Sequence, residues 1–436
     1  MIKINYEILN EKKILSFLIV LIPLFLISGP FLTDLTISCL AISFFFIKNK
    51  KKYLFNYFFL FFLLFYLILL VSSYYSEFKM LAFKSSIFYF RFGLYTLFFW
   101  YLIDENKNIL KNLFFILFFC FSILIFDSFF QYIFGFNIFN MKLINPSRVS
   151  SFFGDELKMG GYLMRLSPLL LSLIFIYYRN EKHKKFIPFA VCYILLIQTV
   201  IYLSGERTSF FLFYVSILLY LIFLNNFLKV KLVFISMFVI ITFLLINIES
   251  PFKQRLIDRT INHTKIFEKE SKKIVFSQKY NEHYISAWRM FKDNKIIGIG
   301  PKNFREICKK TQYNLSKQTC SNHPHNIILQ LLSETGFLGF LFYLILNIFL
   351  WSNLIKSLIY KLYLKKIIFA NSEICLLIYY VIIFFPIAPF GNFFNNWMSA
   401  VVYFPTAIFL WMVRKNYKAY IGFKGINNIP LKKYKI

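Results

Sequence analysis

From Ile14 to Ile47 the chain carries 34 almost uninterrupted apolar residues, and runs of this kind recur as far as residue 413 of 436. A helix crossing a bilayer needs about 20 apolar residues. The first run is therefore too long for one crossing, and Gly29-Pro30 at its middle reads as a tight hairpin. Spans are expected at 14–29, 31–47, 54–72, 84–103, 110–130, 161–178, 186–203, 209–225, 231–248, 328–351, 372–390 and 397–413. Composition agrees. Hydrophobic residues make up 58% and charged residues 16%, against about 45–50% and 25% in soluble domains. Too little polar surface remains to wrap a soluble core. The expected fold is an all-α polytopic membrane protein with about twelve transmembrane helices and one long loop containing short helices.

Fifty Lys and Arg against 20 Asp and Glu give a formal charge of +30, and their placement sets an orientation. With the N-terminus inside, the inner connections carry 26 basic residues and the short outer ones, 72–86, 139–160, 204–208 and 386–397, carry 6. Short basic loops resist translocation, while long ones cross largely regardless of charge. Both termini are thus expected in the cytoplasm and the long connection 249–324, with 16 basic residues, in the periplasm. The chain divides into helices 1–9 (1–248), the loop (249–324), helices 10–12 (325–413) and a basic cytoplasmic tail (414–436). Positive charge explained this way does not call for a nucleic-acid partner; the partner is the lipid bilayer. No small-residue cleavage site follows the first span, so no cleavable signal peptide is expected.

Of six cysteines, only Cys308 and Cys320 fall in the long loop. In an oxidising compartment a disulfide between them is expected, the alternative being two unpaired thiols. The chain shows no Walker A loop, no G-x-S-x-G elbow, no Cys/His zinc spacing and no paired acidic motif on an outer loop. Neither a metal nor a cofactor is expected.

Polar groups at membrane depth are costly and mark candidate sites. Arg207 lies in the short outer turn Ser204-Gly205-Glu206-Arg207-Thr208, at the height of a lipid phosphate. It is a candidate for binding phosphate, or else pairs with Glu206 or caps the turn. Arg91 and Arg165 lie within spans, each fitting either a buried ion pair or a pyrophosphate site, since guanidinium groups bind such anions bidentately. In the loop, Tyr280-Asn281-Glu282-His283-Tyr284 and Arg289 precede Gly298-Ile299-Gly300-Pro301-Lys302-Asn303-Phe304, and then His323-Pro324-His325-Asn326 ends the loop where an apolar helix starts. Histidine suits proton transfer at neutral pH. The alternative for His323 and His325 is a helix cap.

The Gly298–Phe304 run, the His323-Pro324-His325-Asn326 element and the Glu334-Thr335-Gly336-Phe337-Leu338-Gly339 tail resemble the signature of the O-antigen ligase family, which includes O-antigen polymerase-like proteins. Ser204-Gly205-Glu206-Arg207-Thr208 is similar to its Ser-Gly-x-Arg-Thr/Gly element. The stretch Arg148–Glu156, followed by Gly160-Gly161-Tyr162, is similar to the preceding outer loop. The resemblance implies metal-independent glycosyl transfer at the periplasmic face of the bacterial inner membrane, with a glycan on undecaprenyl diphosphate as donor. Carried over by motif, Arg207 holds the diphosphate and His325 acts on the acceptor hydroxyl; His283, Arg289, His323, Arg148 and Arg91 are expected at the substrates. The family commonly places an Arg a few residues before a Trp in the loop helix. Here that region offers His283 and, one turn later, Arg289, and the second phosphate role stays open between them.

The leading expectation is a ligase, moving an assembled O-antigen onto a lipid A-core sugar in lipopolysaccharide biosynthesis. The close alternative is a polymerase joining lipid-linked repeat units. A flippase or transporter fits less well, because transporters tend to show repeats and broken helices around a midplane site, and no repeat is visible here.

Overall fold

The computed structural model describes residues 12–178, 183–264, 278–389 and 391–424. The first eleven residues, loop residues 265–277 and the basic tail from 425 onward lie outside the described residues. Those described form a helical protein without strands; two isolated bridges, Phe136 with Lys142 and Asn145 with Arg148, are the only extended pairings among them. In lipid every backbone group must be satisfied within its own segment, which favours helices.

Each of the twelve apolar runs falls on helix. Among the described residues, seven helices are long and apolar enough to cross a membrane: Tyr57–Tyr75, Lys79–Glu105, Asn108–Phe134, Met159–Tyr177, Leu228–Asn247, Ile327–Leu362 and Asn396–Arg414. Pro30–Phe46, Pro188–Leu203, Arg207–Phe223 and Asn371–Ile383 are apolar but shorter. The expected span 372–390 stops at Ile383, because Pro386 disfavours helix in its neighbourhood. Its thirteen residues rise only about 20 Å. From Ser372 to Ile383 every side chain is buried, and the helix packs on Met159–Tyr177 at the centre of the bundle. Gly29, at φ +122°, separates Ile22–Ser28 from Pro30–Ser43, which fold back on each other.

The long loop builds a core of its own. Its principal helix, Gln278–Asp293 (the loop helix), packs Ala287 and Met290 against Ile299, Phe304, Ile307, Cys308 and Tyr313. Burying each large apolar side chain here contributes about 1.5–3 kcal/mol. Cys308 and Cys320 form a disulfide, with Cα atoms 5.4 Å apart.

This unit is tied to the bundle through a break in the helix Ile327–Leu362 (the kinked helix). Gly336, at φ +66° and ψ −166°, interrupts it and frees two carbonyls and two amides. Ser333 and Glu334 carbonyls then accept from the Ile299 and Gly300 amides at 2.8 and 2.9 Å. The Phe337 and Leu338 amides donate to the Lys295 and Ile296 carbonyls at 2.8 and 3.2 Å. A side chain at Gly336 would lie 2.2 Å from the Ile296 carbonyl oxygen, and one at Gly298 2.5 Å from the Glu334 backbone. Both glycines are required by close backbone approach as well as by conformation.

Gly336→Ala is expected to lower stability by about 2 kcal/mol or more, since it adds a clash to a left-handed conformation. Gly135 is also left-handed, at φ +79°, but has open space around it. Gly135→Ala should lose only about 1 kcal/mol. Thermal unfolding of the two purified variants measures the difference.

Candidate functional site

The turn 204–206 leads into the helix Arg207–Phe223, and its geometry gathers arginines. Gly205 has φ +62°, and a Cβ there would meet the Ser147 carbonyl oxygen at 2.3 Å and the side chains of Arg148 and Arg255 at 3.0 Å each. Glycine thus lets two arginine stems cross the turn. Arg148 donates from Nε to the Ser204 carbonyl (3.3 Å) and from Nη2 to the Leu157 carbonyl (3.1 Å). Arg207 and Arg255 are held reciprocally: Arg207 Nε donates to the Arg255 carbonyl and Arg255 Nε to the Gly205 carbonyl, both at 3.0 Å. Arg255 lies in a π-turn, Gln254–Asp258, a rare form often found at functional sites. Arg259 follows it and acts electrostatically on both Arg207 and Arg255.

Glu206 organises the floor of this cluster. Its carboxylate accepts from the Gly160 and Gly161 amides at 2.8 and 2.9 Å and from Ser209 Oγ at 2.8 Å. It thereby caps the positive end of the helix Met159–Tyr177. Burial pushes the Glu206 carboxyl up, opposed by Ser209 and by Arg148 and Arg165. Arg165 lies beneath, donating to the Gly161 carbonyl at 3.1 Å.

Across from the arginines stand the histidines of the loop. His323 and His325 have ring centroids 4.0 Å apart, and His283 stacks on His325 at 5.4 Å. Tyr280 connects the two groups: its ring lies 5.3 Å from His325, while its hydroxyl acts electrostatically on Arg148, Arg207 and Arg255. His283 donates from Nε2 to the Gln318 carbonyl at 3.0 Å, which leaves Nδ1 unprotonated. His325 Nε2 is 3.0 Å from Ser321 Oγ. Its backbone is left-handed, φ +58°, a conformation costing a non-glycine residue about 1–3 kcal/mol and concentrated at functional sites. Burial, and then the neighbouring His323, His283 and Lys279, push its imidazole down to about 3. His325 is therefore neutral across the ordinary pH range.

Residues 190–344 match a family model described as O-antigen ligase. That stretch of the chain is similar to the O-antigen ligase family. No curated protein matches the chain. Members of the family are glycosyltransferase-like enzymes of the membrane. The O-antigen ligase match takes in Arg207, Arg255, Arg259, Tyr280 and all three clustered histidines. It leaves out the Arg148–Tyr162 stretch, although Arg148 joins the same cluster.

Of the residues singled out in the sequence, Arg207, Arg148, His283, His323 and His325 are brought together. Arg289 is not. It lies six residues after His283, on another face of the loop helix, and donates from the exposed surface to the Gln312 carbonyl at 3.1 Å. Arg91 also stands apart, paired with Asp34 at 3.2 Å. Arg255, Arg259 and Ser321 were not singled out in the sequence; Tyr280 was named only within its segment, and Glu206 only as a pairing alternative for Arg207, whereas it accepts from Gly160, Gly161 and Ser209. The four-residue spacing of Arg255 and Arg259, just past a span and after the Ser250-Pro251 helix start, was the signal available for the first two.

A base with a depressed value stays neutral as pH falls through the ordinary histidine range. Activity limited by His325 should therefore show no break near 6.5 in the profile of kcat/KM, which reports the free enzyme. A bound anion beside the imidazole favours its charged form. The acid limb of kcat, which reports the substrate complex, should accordingly lie at higher pH than that of kcat/KM. Profiles measured between pH 5 and 9 with saturating and with limiting donor make the comparison.

Proposed function

We propose that this protein transfers a glycan from undecaprenyl diphosphate to a sugar hydroxyl of the lipid A-core at the outer face of the inner membrane, as an O-antigen ligase. The observation carrying this reading is the meeting of arginines and histidines about Tyr280, with Arg207 at the edge of an apolar groove. A cavity of roughly 290 Å³ runs beside Arg207 and is lined by Phe210, Phe211, Tyr214, Leu256 and Thr260. Arginines at the entrance suit a diphosphate, and the aromatic wall below them suits the polyprenyl chain bonded to it.

In the proposed reaction the acceptor oxygen attacks the anomeric carbon of the donor sugar. The bond from that carbon to the diphosphate oxygen breaks, and undecaprenyl diphosphate leaves with the electron pair. Arg207, with Arg255, Arg148 and Arg259, stabilises the charge gathering on the leaving group. His325 takes the hydroxyl proton, held in place by Ser321 and the stacked His283. Within this reading Arg255, close to Arg207, fills the second phosphate role better than Arg289.

Arg207→Lys keeps the charge but loses the planar fork, and should retain a tenth of transfer or less. His325→Ala should lose roughly 10²–10⁴-fold with donor binding intact. Both are read with purified protein, lipid-linked glycan and acceptor. Turnover near wild type by His325→Ala would remove it as the base. A deletion strain that accumulates lipid-linked polymer supports the ligase; single capped repeats on the core would indicate a polymerase instead.

The reading also needs the loop in the periplasm and both termini in the cytoplasm, as the 26-to-6 distribution of basic residues implies. Lys292 is exposed on the loop helix. A Lys292→Cys variant should be labelled by an impermeant thiol reagent in intact spheroplasts; labelling only after lysis would reverse the orientation.

A further inference from the structure

A second cavity lies at the far end of the helix that Arg207 begins. Leu224 closes the helix Arg207–Phe223, seventeen residues and about 25 Å from the arginine. There the ends of this helix and of Met159–Tyr177, His183–Leu203 and Leu228–Asn247 enclose a space of roughly 120 Å³. Its wall includes Phe175, Val191, Ile217, Leu221, Leu224 and Phe234. Among the described residues, Lys231 is the one charged group along it. Lys231 Nζ donates to the Leu221 and Leu224 carbonyls, both at 2.7 Å. Lys361 Nζ, from the end of the kinked helix, donates to the same Leu224 carbonyl at 2.9 Å. The two charges therefore stand no farther apart than those two bonds laid end to end.

Among the described residues no carboxylate pairs with either lysine. One lysine is enough to cap the carbonyls at a helix C-terminus. A second brings like charge to the same oxygen, which is unfavourable unless an anion joins the pair. An ammonium has three protons to donate. Lys231 uses two of them and Lys361 one, so both keep donors for such an anion.

We propose that this place binds one anionic phospholipid, its phosphodiester bridging Lys231 and Lys361 and part of one acyl chain entering the cavity. The apolar wall suits hydrocarbon and offers a small soluble anion nothing. Both lysines sit at the ends of helices long enough to cross a membrane, where lipid phosphates lie. Two positive charges without an acid favour a headgroup of net negative charge over one that carries its own ammonium. The site is independent of the transferase reading. In the orientation proposed above it faces the inner leaflet, and a lipid there ties together four helix ends, that of the Arg207 helix among them.

The test uses full-length protein in neutral detergent and phosphatidylglycerol bearing a photoactivatable diazirine on one acyl chain. After irradiation, peptide mass spectrometry should find adducts within 171–178, 190–194 and 217–234. The matching phosphatidylcholine probe should label these peptides roughly tenfold less. Replacing both lysines, Lys231→Gln with Lys361→Gln, should lower labelling by a similar factor, and the double Lys→Arg variant should restore it. Val191→Trp, which fills the cavity and keeps both lysines, should also lower labelling, so the site stays testable if the double glutamine variant does not fold. Equal labelling by the two probes, or labelling undiminished in the glutamine and Val191→Trp variants, would overturn the proposal. So would adducts confined to the exposed face of Leu228–Asn247, at Val239, Ile240 and Phe243, which would mark lipid around the protein. Displacement of the probe by millimolar inorganic phosphate would assign the lysines to a soluble anion and overturn the lipid as occupant.

Discussion

Two carbonyls and two amides released by Gly336 determine how the loop sits on the membrane helices. A helix interrupted at that point leaves the Ser333 and Glu334 carbonyls without their usual donors and the Phe337 and Leu338 amides without their usual acceptors. Segment 295–300 supplies all four partners. Unmet backbone groups beside lipid would each be expensive, so the exchange is close to obligatory once the kink exists. It fixes the kinked helix and the loop core as one piece. From it follow the position of Phe304, whose amide reaches Glu334, and that of the His323–Asn326 element at the helix start. Asn326 secures that start, accepting from Leu329 and donating to the Pro386 carbonyl.

Much of this was legible in the sequence, and the legible parts share a physical origin. Apolar runs announce helices because lipid leaves the backbone few other choices, and all twelve runs fall on helix. Their lengths were less legible. Asn371–Ile383 is short because Pro386 disfavours helix before it, a local signal that the apolar run masked; the Asn326 bond to the Pro386 carbonyl then holds the turn. The glycines of the 298–304 and 334–339 motifs were visible as a motif, but their shared task, letting two backbones touch, needs both partners in view.

The site divides in the same way. Arg207 and His325 stood out because each ends a membrane segment with a residue type suited to phosphate or proton. Arg255 did not, since a basic residue in a basic loop carries no local distinction; the crossing at Gly205 reveals it. Arg289 looked favourable by its nearness to His283 in sequence. Helical geometry turns it to another face, and six residues along a helix separate two side chains that a reader of the sequence sees as neighbours.

The electrostatics of the assembled site place its two halves in opposition while it is empty. Arginines stay charged under all ordinary conditions, so their gathering around Tyr280 makes the cavity mouth strongly positive. Beside them, burial first, and then Lys279 and at His325 the neighbouring histidines, oppose protonation of His325 and His283. An incoming diphosphate would satisfy the first half and relieve the second, compensating the guanidinium charge and making a protonated imidazole easier to sustain. Proton acceptance at His325 would therefore improve when the donor is in place, a coupling that needs no moving part. It needs only that the arginines and the histidines be held about Tyr280. The backbone exchange at Gly336 supplies that registration.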